Sequence, residues 1–314
     1  MPWYIGIDEA GYGPNLGPFV MTLVACQMPE ERDLWDVLKS QVRRFGEPAD
    51  QRLIVADSKQ VYSSSHGWDD LEQAVLSARG CDPGLTLAGL LHDLAADELP
   101  ALRQEAWFVG DTPVPTEVNA DDLGASTDGW RRASQDAGVS WGFCQSAIVP
   151  APRFNDLIDK WDSKGAVLSV ALIQLMQRCL EKTGTEPMRF IVDKHGGRNT
   201  YSAMLQHAFP DGFVLAEEEG RHRSVYRVEG LDREVRITFM PKADVKNFTV
   251  ALASMISKYV RELLMREFNR FWLTHVPGLK PTAGYPLDAV RYIDAIRPAM
   301  LTLGIAERLV WRCR

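Results

Sequence analysis

Hydrophobic and polar positions along the chain fall into short apolar runs and longer periodic segments. Residues 3–8 (WYIGID) form a short apolar run broken by the glycines of EAGYGPNLGP, and FVMTLVACQM follows as a second, strongly apolar run. That order predicts strand, tight turn, strand. Residues 31–45 carry Leu34, Trp35, Val37, Leu38 and Val42 among charges at helical spacing, and 67–79 also reads as a helix. WGFCQSAIVPA (141–151) predicts a strand, 153–182 one long helix with a break near Gly165, and RFIVD (189–193) a strand ending on an acid. Strands are expected at 213–217, 224–229 and 234–240, the last two joined as a hairpin around Glu229-Gly230-Leu231-Asp232. A long amphipathic helix is expected over 245–273 and a final one over 286–299. Phe248, Met255, Tyr259, Met265, Phe268, Phe271 and Trp272 recur at helical spacing, which reads as a core-facing stripe rather than a cofactor box. Strands alternating with helices predict the α/β class, and no repeat or low-complexity tract is visible.

Between 81 and 138 the character changes to Asp, Ala, Pro and Gly, with Pro-Val-Pro at 113–115 and a Leu-rich stretch at 85–96 that predicts a helix. This is the candidate insertion. Its 314 residues, 46% hydrophobic and 25% charged, allow the chain a full core in one large or two small domains. The net charge of −7 excludes nucleic-acid binding by bulk positive charge, so a polyanion partner would need a local basic patch. No signal-peptide pattern and no run of 18 apolar residues occurs, from which no membrane span and a cytoplasmic location are expected. Five widely spaced cysteines (Cys26, Cys81, Cys144, Cys179, Cys313) without CxxC pairs suggest reduced thiols rather than a disulfide framework or zinc site.

Candidate chemistry lies in the acids. Asp8-Glu9, Asp193 and Asp244 stand at or just beyond predicted strand ends or at a helix start, where α/β sheets build their sites. A bend is expected at Asp8-Glu9, because adjacent side chains on a straight strand oppose each other. Taken singly, each acid reads most simply as a cap, turn or surface charge, and Asp244 in particular as a helix cap. Taken together, four carboxylates at one edge would repel each other unless cations neutralise them, and that many hard oxygen donors suit Mg²⁺ or Mn²⁺. Paired ions of this kind catalyse phosphoryl transfer.

The sequence IGIDEAGYGPNLGPFV resembles the opening of type 2 ribonucleases H (ribonuclease HII), which begin with an Asp-Glu-Ala-Gly-Arg-Gly-Pro run followed by Gly-Pro. Asp57-Ser58-Lys59 is similar to that family's Asp-Ser-Lys segment, and Ile191-Val192-Asp193 to the strand carrying its third acid. KADVKNFTVALASMISKYVRELLM (242–265) matches its spacing of Asp, Ala-Ser, Lys and Arg at Asp244, Ala253-Ser254, Lys258 and Arg261, and Gly284-Tyr285-Pro286 its Gly-Tyr turn. The resemblance covers 3–80 and 140–300 and leaves 81–138 unmatched. It implies an α/β, ribonuclease H-like mixed sheet flanked by helices, with a C-terminal helical region and an inserted segment. The domains would be 1–80 with 139–285 as the catalytic unit, 81–138 as the insertion and 286–314 as a helical extension. The implied activity is endonucleolytic hydrolysis of the RNA strand of RNA/DNA hybrids with two Mg²⁺ or Mn²⁺ ions, leaving 5′-phosphate and 3′-hydroxyl ends. Asp8, Glu9, Asp193 and Asp244 would be the catalytic metal-binding acids. Gly11, Tyr12, Gly13, Ser58, Lys59, Lys258, Arg261 and Tyr285 would touch a partner that is an RNA/DNA hybrid or a ribonucleotide-containing duplex.

Two departures stand out. The family's Gly-Arg-Gly, whose backbone helps read a ribose 2′-hydroxyl, is Gly11-Tyr12-Gly13, and the glycine after the third acid is Lys194. Backbone readout can survive the first change while any contact through the arginine side chain is lost. Lys194 either contacts a phosphate or points away. Residues 221–246 carry a net of three positive charges (Arg221, Arg223, Arg227, Arg233, Arg236, Lys242 and Lys246 against four acids), a place for a phosphate backbone or simply a solvated hairpin. His195 is either a proton carrier or a turn residue, and Asp57 reads as a cap. GYGPNLGP matches neither GxGxxG before a helix nor GxxxxGK[ST]. A nucleic-acid-binding protein of the same fold with altered or lost catalysis, and a metal-dependent DNA nuclease, are the alternative readings.

Overall fold

Alternation along the first two strands decides how the sheet is covered. Tyr4, Val20, Val24 and Cys26 face one side and Ile5, Ile7, Phe19, Met21, Leu23 and Ala25 the other, so both faces are apolar and both need a cover. The structure is a computed structural model that describes residues 1–48, 50–80 and 84–313. Seven strands form one mixed sheet in the order Ser140–Val149, Phe19–Gln27, Trp3–Ala10, Met188–Asp193, Val235–Met240, Ser224–Glu229 and Phe213–Glu219. Trp3–Ala10, Met188–Asp193 and Val235–Met240 run parallel to one another, and every other neighbouring pair is antiparallel. The expected α/β sheet flanked by helices is the fold observed.

The helix Phe248–His275 covers the first face and Gly165–Lys182 with Ser202–Ala208 the second. Gly6 sets how closely the long helix approaches. A Cβ there would lie 2.2 Å from the Thr249 carbonyl carbon and 2.3 Å from the Val250 nitrogen, so only glycine lets the helix start press onto the central strand. Asn247 caps this helix, its side-chain oxygen accepting from the Val250 N–H at 3.2 Å. The last helix runs Pro286–Leu303.

One expected helix shortens, the break expected near Gly165 falls at Asp162, and two further helices are present. The helix expected over 31–45 shrinks to Leu34–Val37; Val42–Arg43 then pairs in parallel with Leu53–Ile54, and the spacing that suggested a helix serves one buried turn and a strand. The 153–182 segment forms two helices, Ala151–Trp161 and Gly165–Lys182, separated where Asp162 turns left-handed (φ 46°). The helices Ser202–Ala208 and Ala120–Asp136 were not apparent from periodicity. The Ala120–Asp136 helix buries only Leu123, Ser126, Trp130, Ala133 and Ser134, a face too small and polar to register as an apolar stripe. Cys81 lies outside the described residues, among which no disulfide forms.

Most of the 81–138 segment is built into the first core. Leu87, Leu90, Leu91 and Leu94 of the helix Leu87–Ala95 share a cluster with Leu263, Leu264 and Phe268 of the long helix. Two buried carboxylates fasten it. Glu267 accepts from the N–H groups of Val109 (2.9 Å) and Gly110 (2.9 Å) and from the Thr112 hydroxyl (2.9 Å). Glu72 accepts from the N–H groups of Thr116 (2.8 Å), Glu117 (2.8 Å) and Val118 (2.9 Å) and from the Tyr259 hydroxyl (2.8 Å). Burial alone would raise the Glu72 pKa, but the backbone donors of Thr116, Val118 and Glu117 hold it below the usual carboxylate range. Glu72→Gln places an amide where acceptors are required and strands at least two buried donors at about 1–3 kcal/mol each. Urea denaturation should report a loss of more than about 2 kcal/mol, and a loss within about 0.5 kcal/mol would contradict the clamp.

Candidate functional site

The first strand does not end at Asp8. It runs to Ala10, with Asp8 opposite Thr22 and Glu9 opposite Met21, so the expected bend comes after the two acids, at Gly11. Ile7 is registered on Val192 and Asp193 on Met240, which sets Asp8 and Asp193 side by side at the same sheet end. Beyond Met240 the chain turns through Lys242 in the left-handed region (φ 55°), and the Ala243 N–H donates to Asp193 Oδ1 at 2.8 Å. That turn carries Asp244 back toward the sheet end. Asp244 does not cap the long helix, since Asn247 does.

Electrostatics tie the four acids together. Asp8 is 8% exposed, and burial, then the charge of Glu9, pushes its carboxyl well above the usual range, with Asp193 adding to the effect. Glu9 is raised to about 7 by burial and then by Asp193. Asp244 is raised to about 6 by burial, then by Asp57 and Asp193. Burial also raises Asp193, against the N–H groups of Ala243, Lys194 and Lys242. Like charges this close disfavour joint ionisation. The Lys59 ammonium opposes the rise at Glu9, Asp193 and Asp244 alike. Asp57 caps the short helix Ser58–Tyr62, accepting from the Lys59 N–H at 2.9 Å, and its influence on Asp244 makes it a fifth acid at this edge.

Hydroxyl groups support Asp8 from below. Ser257 Oγ donates to the Asp8 carbonyl at 3.0 Å and lies 2.8 Å from Thr22 Oγ1, which in turn meets Ser146 at 2.8 Å. Ser254 hydrogen-bonds the Asp8 carboxyl and lies 3.0 Å from Ser58 Oγ. Sequence reading placed Ser58 at the site but gave Ser254, Ser257 and Asp57 no role there. The Ala-Ser motif within the 242–265 stretch was the one available signal for Ser254.

The remaining candidates divide. Tyr285 is half exposed, and its ring edge lies 4.0 Å from where a Gly13 Cβ would stand, so tyrosine and glycine loop share a surface. Tyr12 turns onto Phe19, and Lys164 sits 4.9 Å from its ring centroid. Arg261 is 1% exposed and faces inward, donating to the carbonyls of Ala283 (2.9 Å) and Leu16 (3.3 Å). It packs under Gly11 (φ 83°), where a Cβ would come 2.3 Å from Arg261 Nε, so glycine is required there on both counts. Lys258 pairs with Glu262 at 2.7 Å and stands 4.1 Å from the Tyr62 ring centroid.

Of the two options for Lys194, the structure has it pointing away, donating to Asn199 Oδ1 at 3.1 Å and to the Gly220 carbonyl. His195 is buried beside Tyr201 and Phe239, and burial lowers its pKa to about 4, so its ring is neutral at pH 7. The basic hairpin is corrected most. Arg223 pairs with Glu218 (2.5 Å), Arg236 with Glu217 (2.8 Å), Arg233 with Asp232 (3.0 Å), and Arg227 with Glu217 and Glu229. The neighbouring strand supplies Glu217, Glu218 and Glu219, which the count over 221–246 omits, and they cancel its positive excess.

As they stand, no three Asp, Glu, His or Cys side chains among the described residues converge into a ready metal-ligand group. The chemistry of the donor set nevertheless fits a hard divalent cation. Asp8, Glu9, Asp193 and Asp244 are oxygen donors whose pKa values are raised first by burial and, at Asp8, Glu9 and Asp244, by neighbouring acids as well. Among the described residues no helix is long and apolar enough to cross a membrane.

No protein-family model matches the chain, and no curated protein sequence matches it. Solved structures to which it is similar include ribonuclease HII of Archaeoglobus fulgidus in complex with PCNA, 16% identical, covering 99% of this chain and 94% of that one with a TM-score of 0.43. Ribonuclease H2 of Pyrococcus horikoshii OT3 is 13% identical, with 98% and 92% covered and a TM-score of 0.43. Bst-RNase HIII in complex with Mn²⁺ is 13% identical, covering 99% of this chain and 65% of that one with a TM-score of 0.42. Each of these alignments spans nearly the whole of this chain.

Proposed function

We propose that this chain is a divalent-metal-dependent endonuclease that hydrolyses the RNA strand of RNA/DNA hybrids, leaving 5′-phosphate and 3′-hydroxyl ends. The observation that carries the reading is the group of buried acids from three distant stretches at one sheet end, where Asp193 adds to the raised pKa of Asp8, Glu9 and Asp244, and Lys59 opposes the rise at Glu9, Asp193 and Asp244. Asp8, Glu9, Asp193 and Asp244 would hold two Mg²⁺ or Mn²⁺ ions. Bound there, such ions activate water and stabilise a leaving oxygen in phosphodiester hydrolysis. The protein's own share is positional. Ser254 and Ser257 fix Asp8 from beneath, the Ala243 N–H fixes Asp193, and Tyr285 beside Gly13 offers a ring and hydroxyl to a sugar. A binding-only protein of the same fold is the second reading, favoured by Tyr12 and Lys194 standing where the resembling family has arginine and glycine.

Asp8→Asn should abolish Mg²⁺- or Mn²⁺-dependent cutting of a uniform hybrid by at least about a thousandfold, near 4 kcal/mol of transition-state stabilisation, while the fold is kept. Activity close to wild type would remove Asp8 from the mechanism. A wild-type protein that binds the hybrid with salt dependence but cuts no RNA-containing duplex would support the second reading.

The raised pKa values give a stability test with a definite sign. A carboxyl raised from 4.5 to about 7 at Glu9, or from 3.8 to about 6 at Asp244, keeps its proton in the folded state after the unfolded chain has released it. In the absence of divalent ions, stability from these groups therefore declines as pH rises through that window. Millimolar Mn²⁺ should raise Tm more at about pH 8 than at about pH 5, because cation and protons compete for the same oxygens. An equal Tm shift at both pH values would contradict cation binding at these acids.

A further inference from the structure

Beneath the glycine loop lies an arginine from the far end of the chain. Arg312 is 1% exposed and stacks 4.4 Å from the Phe154 ring centroid. Its guanidinium Nη2 donates to the carbonyl of Pro14 and, at 3.5 Å, to that of Tyr12. The backbone around it is laced to the same loop. The Arg312 N–H donates to the Asn15 carbonyl at 2.8 Å, the Asn15 side chain returns a bond to the Arg312 carbonyl at 3.3 Å, and Leu16 bridges Trp311 in antiparallel fashion. Asn155, fully buried, fastens the segment from the other side. It donates to the carbonyls of Arg308 (2.9 Å) and Trp311 (2.8 Å) and accepts from the Cys313 N–H (2.7 Å).

This is a costly place for a cation. Burial, then the neighbouring charge of Arg261, lowers the Arg312 pKa to about 9, and its Nε and Nη1 have no hydrogen-bond partner. The loop carbonyls are what it gains. In a trans peptide the carbonyl of one residue and the N–H of the next point in opposite directions. Drawing the Tyr12 carbonyl inward onto Arg312 therefore turns the Gly13 N–H outward, at an exposed residue beside Tyr285. The Pro14 carbonyl does the same for Asn15, whose N–H reaches the Gly284 carbonyl at 2.8 Å and ties the loop to the turn that carries Tyr285.

We propose that Arg312 is a positioning residue for ribonucleotide recognition. Held by the Glu307–Cys313 segment, it sets the Gly11–Gly17 loop so that the Gly13 N–H faces a ribose-bearing strand, a task no side chain of the loop itself can perform with Tyr12 turned onto Phe19. The substrate role rests on the nuclease reading above; the anchoring does not.

Two readouts separate them. In Arg312→Met, amide exchange at Asn15 and Leu16, whose N–H groups donate to the Gly284 carbonyl, should speed up by about tenfold or more. KM for an RNA-containing duplex should rise about fivefold or more while kcat stays within about twofold, because binding geometry is lost and the acids are untouched. Arg312→Lys should fall between. Asn155→Ala loosens the same segment with the arginine intact and should reproduce the exchange change, which keeps the test available if Arg312→Met fails to fold. Unchanged exchange at Asn15 and Leu16 overturns the anchoring, and a fall in kcat with KM unchanged overturns the recognition role. A wild-type protein without nuclease activity overturns the substrate role together with the nuclease reading, while exchange still decides the anchoring.

Discussion

Repulsion between carboxylates is the constraint around which the sheet end is organised. Asp8 and Asp193 come from neighbouring parallel strands, Glu9 follows Asp8, and Asp244 returns from the turn after the third strand. Nothing in folding alone rewards that gathering, since burial holds each acid above its ordinary pKa and neighbouring acids add to the rise at Asp8, Glu9 and Asp244. Lys59 supplies one positive charge against several negative ones. Burying this many carboxylates at one sheet end carries a cost that the rest of the fold must meet.

The rest of the fold meets it by rigidity. Both sheet faces are apolar and covered, Gly6 lets the long helix seat directly on the central strand, and serines on that helix reach Asp8 and Thr22. The long helix also carries Glu267, and with Glu72 it draws the 109–118 stretch into the same core. The segment first read as an insertion is thus packed against the helix that supports the acids. Arg261 and Arg312 brace the glycine loop from the helix and from the Glu307–Cys313 segment respectively. Acids and loop sit at one end of the first strand, and the long helix supports both, with the Glu307–Cys313 segment as a second brace for the loop.

Much of this was legible in the sequence because it is encoded locally. Apolar runs of β-branched and aromatic residues ending on acids revealed the strands of the sheet, and the stripe from Phe248 to Trp272 revealed the long helix. What escaped depends on distance or on small polar surfaces. The helix Ala120–Asp136 has only Leu123 and Trp130 as large buried apolar residues, with Gln73 donating to Ser126 at 2.7 Å between them, a stripe too sparse to read. The hairpin's charge was misjudged because its neutralising glutamates belong to the adjacent strand. Asp57 meets Asp244, and Arg312 meets Pro14, across hundreds of residues that no periodicity connects.

The central claim is that these acids share cations. Its most direct test is anomalous diffraction from a crystal soaked in Mn²⁺. The account predicts strong peaks bridging Asp8, Glu9, Asp193 and Asp244, with the side chains drawn inward onto them. Carboxylates that stay apart, engaged with Lys59 or with backbone donors and carrying no anomalous signal between them, would contradict it.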